Sequence, residues 1–381
     1  MTPQTLSLQA KYGYISGLNG IRALSVLIVL LAHMGLSHII PGGFGVTVFF
    51  FISGFLITRL LIAENDLKGR IGLKQFYIRR FIRLYPALLF MVFGTTLIYA
   101  LYGWGGPKIG EMLSAIFYGT NLYQVNAQIE GNPPFMPWKH LWSLAVEEHF
   151  YLLFPAFLAL YSGNWVKILK ALSFVLCAAL IWRVAVYFLT NLPAQDYNYM
   201  MTDTRIDSLV WGCVLSIALH VNGTKNLKWL MGYVPVALSL IVILASFLIR
   251  DESFRYTARF SVQGIALFIL FLNLFFTEKF QWAITLLEWK PLAWFGTISY
   301  ALYLWHVPII DICIRIMGEN LVSYLMALAL SIYAAAFSYY IVEKRFLSLR
   351  KAYGSHSIDE RTSPNNVSIE IEQVLKSTGQ R

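Results

Sequence analysis

Two ionisable residues interrupt the first long apolar run of this chain, Arg22 and His33, eleven positions apart. At 100° per residue that spacing returns to within about 20° of the same helical face, with a rise of about 16 Å. Desolvating such groups inside a hydrocarbon-length segment is costly, which favours a functional reading. The pair offers a fixed cation at one end of a stripe and a proton-exchanging imidazole at the other. The plainer readings are that Arg22 anchors at the headgroups and that His33 hydrogen-bonds a neighbouring helix. Glu147 and Glu148 follow His140-Leu141-Trp142-Ser143 at the start of a later apolar run. Carboxylates there complement a helix dipole, but two side by side exceed what capping needs. They diverge by about 100°, so at most one faces His33, where a carboxylate would orient and polarise a general base.

A second group is purely cationic: Arg79, Arg80 and Arg83, with Tyr85 and Pro86 closing the run. Spacing alone favours ordinary cytoplasmic anchoring. The functional reading is a site for a phosphorylated donor, because the guanidinium fork suits phosphate. Gly42-Gly43-Phe44-Gly45 follows no strand and does not read as a nucleotide loop. Ser53-Gly54 reads as a place where two helices approach closely. The histidines show no HExxH pattern, so no metal site is expected. Cys177, Cys213 and Cys313 lie in apolar runs and suggest neither disulfides nor a zinc cage.

The elements that must hold these residues are membrane helices. Of 381 residues, 57% are hydrophobic and only 13% charged, and mean hydropathy is +0.60. That excludes a soluble multidomain chain. Apolar runs predict an all-α polytopic bundle of about ten transmembrane helices, over 18–37, 44–63, 84–103, 144–162, 168–189, 206–221, 229–249, 260–277, 292–314 and 321–342. The stretch 109–123 is too short and broken to span. The first run is too long for a cleaved signal and is expected to stay as an anchor. No internal repeat is visible. Residues 1–346 form the membrane domain, and 347–381 a polar, partly disordered tail. Lys and Arg concentrate in segments that place both termini in the cytoplasm. On that orientation His33, Glu147, Glu148, Arg205, Asp207 and His306 lie in the outer half, and the arginine run at the inner surface. A proton-coupled transporter using His33, Glu147 and Asp207 as a relay is the rival reading, and a non-catalytic scaffold the third.

Several blocks in order make the chain resemble the acyltransferase-3 family of bacterial inner-membrane O-acyltransferases. They are Gly20-Ile21-Arg22-Ala23-Leu24 with His33, Gly45 to Ile57, Arg79 to Pro86, Trp142 to Glu148, Arg205-Ile206-Asp207, and Ile298 to His306, together covering roughly 14–346. The resemblance implies transfer of an acyl group, often acetyl, from cytosolic acyl-CoA to a hydroxyl of a glycan or lipid-linked glycan such as lipopolysaccharide, exopolysaccharide or peptidoglycan. It implies a multi-pass protein of the bacterial inner (cytoplasmic) membrane, with lipids but no nucleic acid as partners. No cofactor is bound; acyl-CoA, expected to be acetyl-CoA, is a co-substrate. Arg22 and His33 are then essential, and Arg79, Arg80, Arg83 and Tyr85 serve the CoA side. His33, oriented by Glu147 or Glu148, acts as base, while Trp142, Ser143, Arg205, Asp207, Tyr303 and His306 hold the acceptor or support the site. Trp138, Trp142 and Tyr123 are candidates for stacking on sugar faces. Two positions depart from the family: His149 stands where glutamine is common, and Thr47 where aspartate is frequent. No esterase-like domain is read after the tail, so such a partner is expected to be a separate protein.

Overall fold

The computed structural model describes residues 15–132 and 137–350. The Pro133-Pro134 turn and most of the expected tail, 351–381, lie outside the described residues; 347–350 continue a short helix, Lys344–Arg350. The described chain is helical with no strand. Ten apolar helices run through it: α1 Leu18–Leu31, α2 Gly42–Lys68, α3 Leu73–Leu101, α4 Trp142–Leu160, α5 Trp165–Leu189, α6 Thr202–Asn222, α7 Tyr233–Leu248, α8 Arg259–Phe276, α9 Ser299–Met317 and α10 Leu321–Phe337. With the short turns that extend some of them, nine are long and apolar enough to cross a membrane; the tenth, α7, has 16 residues. The chain is a polytopic helical membrane protein.

Two boundaries differ from expectation in ways that matter for the site, and the stretch expected to be too short and broken to span is so. Helix α3 has 29 residues, about 43 Å at 1.5 Å per residue, so the arginine run sits within its first three turns rather than in a loop. The ninth span divides at Ile298 (φ −90°, ψ 5°), leaving a short helix Lys290–Thr297 and α9 proper. Residues 109–123 form parts of two short helices, Ile109–Ile116 and Thr120–Ile129, broken at Tyr118, whose φ is +54°.

Packing follows the small residues. Helices α2 and α6 pack so closely that a Cβ on Gly54 would stand 1.9 Å from the Leu209 carbonyl oxygen, and one on Gly212 2.1 Å from that of Phe51. This reciprocal contact is the close approach expected at Ser53-Gly54. Beside it Phe51, Phe55, Phe271 and Leu272 form one apolar cluster, while the larger cluster joins α1–α4 and α9. Leucines and phenylalanines such as Phe174, Phe188, Leu240 and Leu244 point outward, as a lipid-facing surface requires.

Candidate functional site

Helix α1 ends in a wide turn, Ala32–Leu36, where Gly35 takes φ +83°. The turn leaves His33 an exposed residue. On its protein side His33 Nδ1 lies 3.1 Å from His306 Nε2. His306, fully buried on α9, places Nδ1 2.7 Å from the Tyr303 carbonyl and 3.2 Å from that of Leu302. A third imidazole, His140, packs 4.9 Å from the His306 ring and 5.2 Å from Tyr303. It is 2% exposed and neither ring nitrogen has a hydrogen-bond partner, although the Leu304 and Tyr303 carbonyls lie near enough to act on it. Tyr303 donates its hydroxyl to the His140 carbonyl at 2.8 Å and lies 2.5 Å from the Ser143 hydroxyl.

Ser143 and Tyr303 also line a cavity of about 970 Å³, its open mouth included. Arg22, Arg80 and Arg83 line the same cavity, with Glu147 and Glu148. Arg80, Arg22 and Arg83 are the charges that act on Glu147, and Arg80 acts on Glu148. The Arg80 guanidinium stands 4.5 Å over the Tyr151 ring, whose hydroxyl bonds to Ser53. The expected pairing of His33 with Glu147 or Glu148 is therefore not formed. The outer acidic and inner cationic groups, separated in the sequence reading, meet in one cavity. Two carboxylates inside an apolar bundle need compensating cations, and the first turns of α3 bring them.

Other candidates lie elsewhere. Arg79 turns from the cavity to Glu64, with Nη2 3.3 Å from the carboxylate. Tyr85 does not line it; its ring stacks on Phe81 at 4.3 Å and meets Tyr118 edge-on. Asp207 forms a fully buried ion pair with Arg183 at 2.7 Å, and Ser261 donates to the same carboxylate at 2.9 Å. Arg205, also fully buried, sits 3.8 Å over Phe260 and is boxed by Phe50, Trp142 and Tyr199. It donates to Thr47 Oγ1 at 3.1 Å, so a hydroxyl serves where aspartate is frequent. Arg205, Asp207 and Trp142 thus hold helices together at the back of the cavity. Trp138 is fully buried and Trp142 nearly so, which withdraws both from sugar stacking. His149, at the position where glutamine is common, bonds Thr202 Oγ1 at 2.7 Å.

Several polar cavity residues had no place among the expected site residues. Tyr151 lies one turn after Glu147, a spacing that the i, i+4 rule exposes. Ser53 and Tyr300 stood in the quoted blocks without a role. Tyr118 came with no sequence signal. It combines a left-handed backbone, a buried hydroxyl facing that of Tyr300 and a wall position in the cavity. Burial pushes its hydroxyl well above the usual phenol range, so it remains a neutral donor.

Known proteins give this arrangement a family. The acyltransferase-3 model, described as an acyltransferase domain, matches residues 15–343. The peptidoglycan O-acetyltransferase OatA of Listeria monocytogenes is 30% identical over 359 residues, 87% of this chain and 55% of that protein. A putative O-acetyltransferase of Staphylococcus aureus strain COL is 32% identical over 351 residues, 88% of this chain and 58% of its own. O-acetyltransferase OatA of S. aureus strain NCTC 8325 is 33% identical over 316 residues, 78% and 51% respectively. The chain thus spans a little over half the length of these curated relatives. No solved structure matches it. With the family model running from the start of α1 to the end of the bundle, the chain belongs to the acyltransferase-3 family.

Proposed function

We propose that the chain transfers an acyl group, acetyl in the simplest case, from acyl-CoA to a hydroxyl of a cell-surface glycan. The observation that carries this reading is the cavity itself, lined by Arg22, Arg80, Arg83, Ser143 and Tyr303, with Tyr303 against His306 and His306 hydrogen-bonded to His33. The three guanidinium groups suit the phosphates of CoA. Glu147 and Glu148 line the cavity beside those cations, so arriving phosphates meet cations that already have acidic neighbours rather than a bare cationic hole. The pantetheine arm then reaches toward Tyr303. His33 Nε2 takes the proton of the acceptor hydroxyl as its oxygen attacks the thioester carbonyl carbon. The carbon–sulfur bond breaks, the CoA thiolate leaves, and the proton passes from His33 to sulfur. The relatives' names point to peptidoglycan as one acceptor of this class, and the exposed position of His33 past the end of α1 gives a bulky glycan access.

The transporter reading is weaker than its sequence case, because Asp207 is committed to Arg183 and leaves His33 and Glu147 without their third relay member. Membrane vesicles supplied with labelled acetyl-CoA test the proposal. Wild type is expected to place label in a base-labile glycan ester, and His33→Ala to lose it at equal expression. Near-normal transfer in His33→Ala sinks the base assignment; no CoA-dependent label in wild type sinks the acyl-transfer reading.

A further inference from the structure

The hydrogen bond between the two histidines decides which nitrogen of His33 is free. His306 is fully buried, and its contacts are Tyr303, His140, His33 and two helix carbonyls, with no carboxylate among them. A buried imidazole without a counter-ion is neutral, with one N–H and one lone pair. A carbonyl oxygen only accepts, so Nδ1, 2.7 Å from the Tyr303 carbonyl, must carry the hydrogen and donate it. Nε2 of His306 is then the lone pair. The atom 3.1 Å from it, His33 Nδ1, must be the donor. That leaves Nε2 as the unprotonated nitrogen of His33, an exposed residue beyond the end of α1.

We infer that His306 is a positioning residue that sets the tautomer of His33 through this bond, with the helix α9 backbone as the fixed end of the chain. The device does the work that a carboxylate does in other His-based sites, but with a neutral acceptor. It holds the ring by its inner nitrogen and presents the outer one as the base. Because the acceptor is neutral, the imidazolium formed during reaction hands no proton to a carboxylate, and its Nδ1–H stays hydrogen-bonded to His306 Nε2. Backbone carbonyls one turn below His306 do not rotate, so the arrangement survives side-chain motion at the mouth. The catalytic consequence rests on the acyl-transfer reading; the tautomer assignment does not.

The test uses the full chain in lipid bilayers, labelled with 15N-histidine, with His33 assigned by the signal lost in His33→Asn. Wild type is expected to show protonated Nδ1 and lone-pair Nε2 for His33, at a pH where the ring is neutral. His306→Leu is expected to release the ring to the other tautomer or to a mixture. His306→Gln, whose side-chain carbonyl accepts a hydrogen bond, restores the wild-type pattern. In acetyl-CoA transfer, His306→Leu lowers kcat at least tenfold with KM for the donor unchanged, and His306→Gln recovers part of it. A protonated Nε2 in wild-type His33 overturns the inference, as does an unchanged His33 pattern in His306→Leu. If His306→Leu does not fold, the wild-type spectrum alone decides. Absence of CoA-dependent transfer in wild type, with the expected spectrum intact, removes the acyl-transfer reading and leaves the tautomer assignment standing.

Discussion

Asp207 separates a chemical role from a structural one. Its carboxylate and the Arg183 guanidinium are both fully buried and meet at 2.7 Å. Arg183 also donates to the Thr257 carbonyl at 2.8 Å, to Ser261 Oγ at 2.6 Å and to the Thr204 carbonyl. Asp207→Leu leaves those three bonds but strands a cation without an anion, at a cost of about 3–5 kcal/mol. Arg183→Met strands the carboxylate with Ser261 as its remaining donor and costs a similar ~3–5 kcal/mol. Together the two substitutions remove both charges, and such a replacement is neutral or stabilising when the apolar pair packs well. The double variant is therefore expected far above the sum of the singles, with a coupling energy of about 3 kcal/mol or more. Unfolding of the four proteins by SDS titration in mixed micelles, followed by tryptophan fluorescence, measures the cycle. Acetyl transfer per folded molecule should survive in the double variant. Wild-type stability in Asp207→Leu refutes the structural argument, and a folded but inactive double variant gives Asp207 a part in the chemistry.

Two further outcomes follow from the same geometry. Arg80→Gln is expected to weaken acyl-CoA binding about tenfold to a hundredfold, the worth of a charged hydrogen bond, whereas Arg79→Gln, at a residue paired with Glu64, changes it about threefold at most; equilibrium binding of labelled CoA to purified protein compares them. Gly54→Ala would put a methyl 1.9 Å from the Leu209 carbonyl oxygen, forcing α2 from α6 at a cost of about 1–3 kcal/mol, read by the same SDS titration.

Hydropathy carried the fold because the constraint is one-dimensional: a segment must be about twenty apolar residues long to cross. Breaks set by local backbone were harder to read. Tyr118 and Ile298 interrupt apolar stretches with a single neighbouring glycine each, Gly119 and Gly296, and no proline, and Pro86 sits inside α3 without ending it. For the site, periodicity along α1 put Arg22 and His33 on one stripe, but Arg22 lines the cavity whereas His33 lies past the end of α1, in the turn Ala32–Leu36, and reaches the site through His306. Depth reasoning set Glu147 and Glu148 apart from the arginines they meet, since it ranks residues by distance along a helix and says nothing of which helix faces which. Their partners, Arg80 and Arg83, come from a helix more than sixty positions away. The same limit hid Arg183 as the partner of Asp207 and His306 as that of His33.

The short helix α7 has a consequence for the surrounding lipid. Its 16 residues reach about 24 Å, some 6 Å less than a typical hydrocarbon core. Leu238, Leu240, Leu244 and Leu248 face outward along it, so acyl chains rather than protein adjoin the shortfall. Thickness mismatch costs a fraction of a kcal/mol per ångström, here roughly 2 kcal/mol in all, and is relieved when the bilayer thins locally. A bilayer crossed by α7 is therefore expected to pinch on that flank, with longer acyl chains straining it and shorter ones relaxing it.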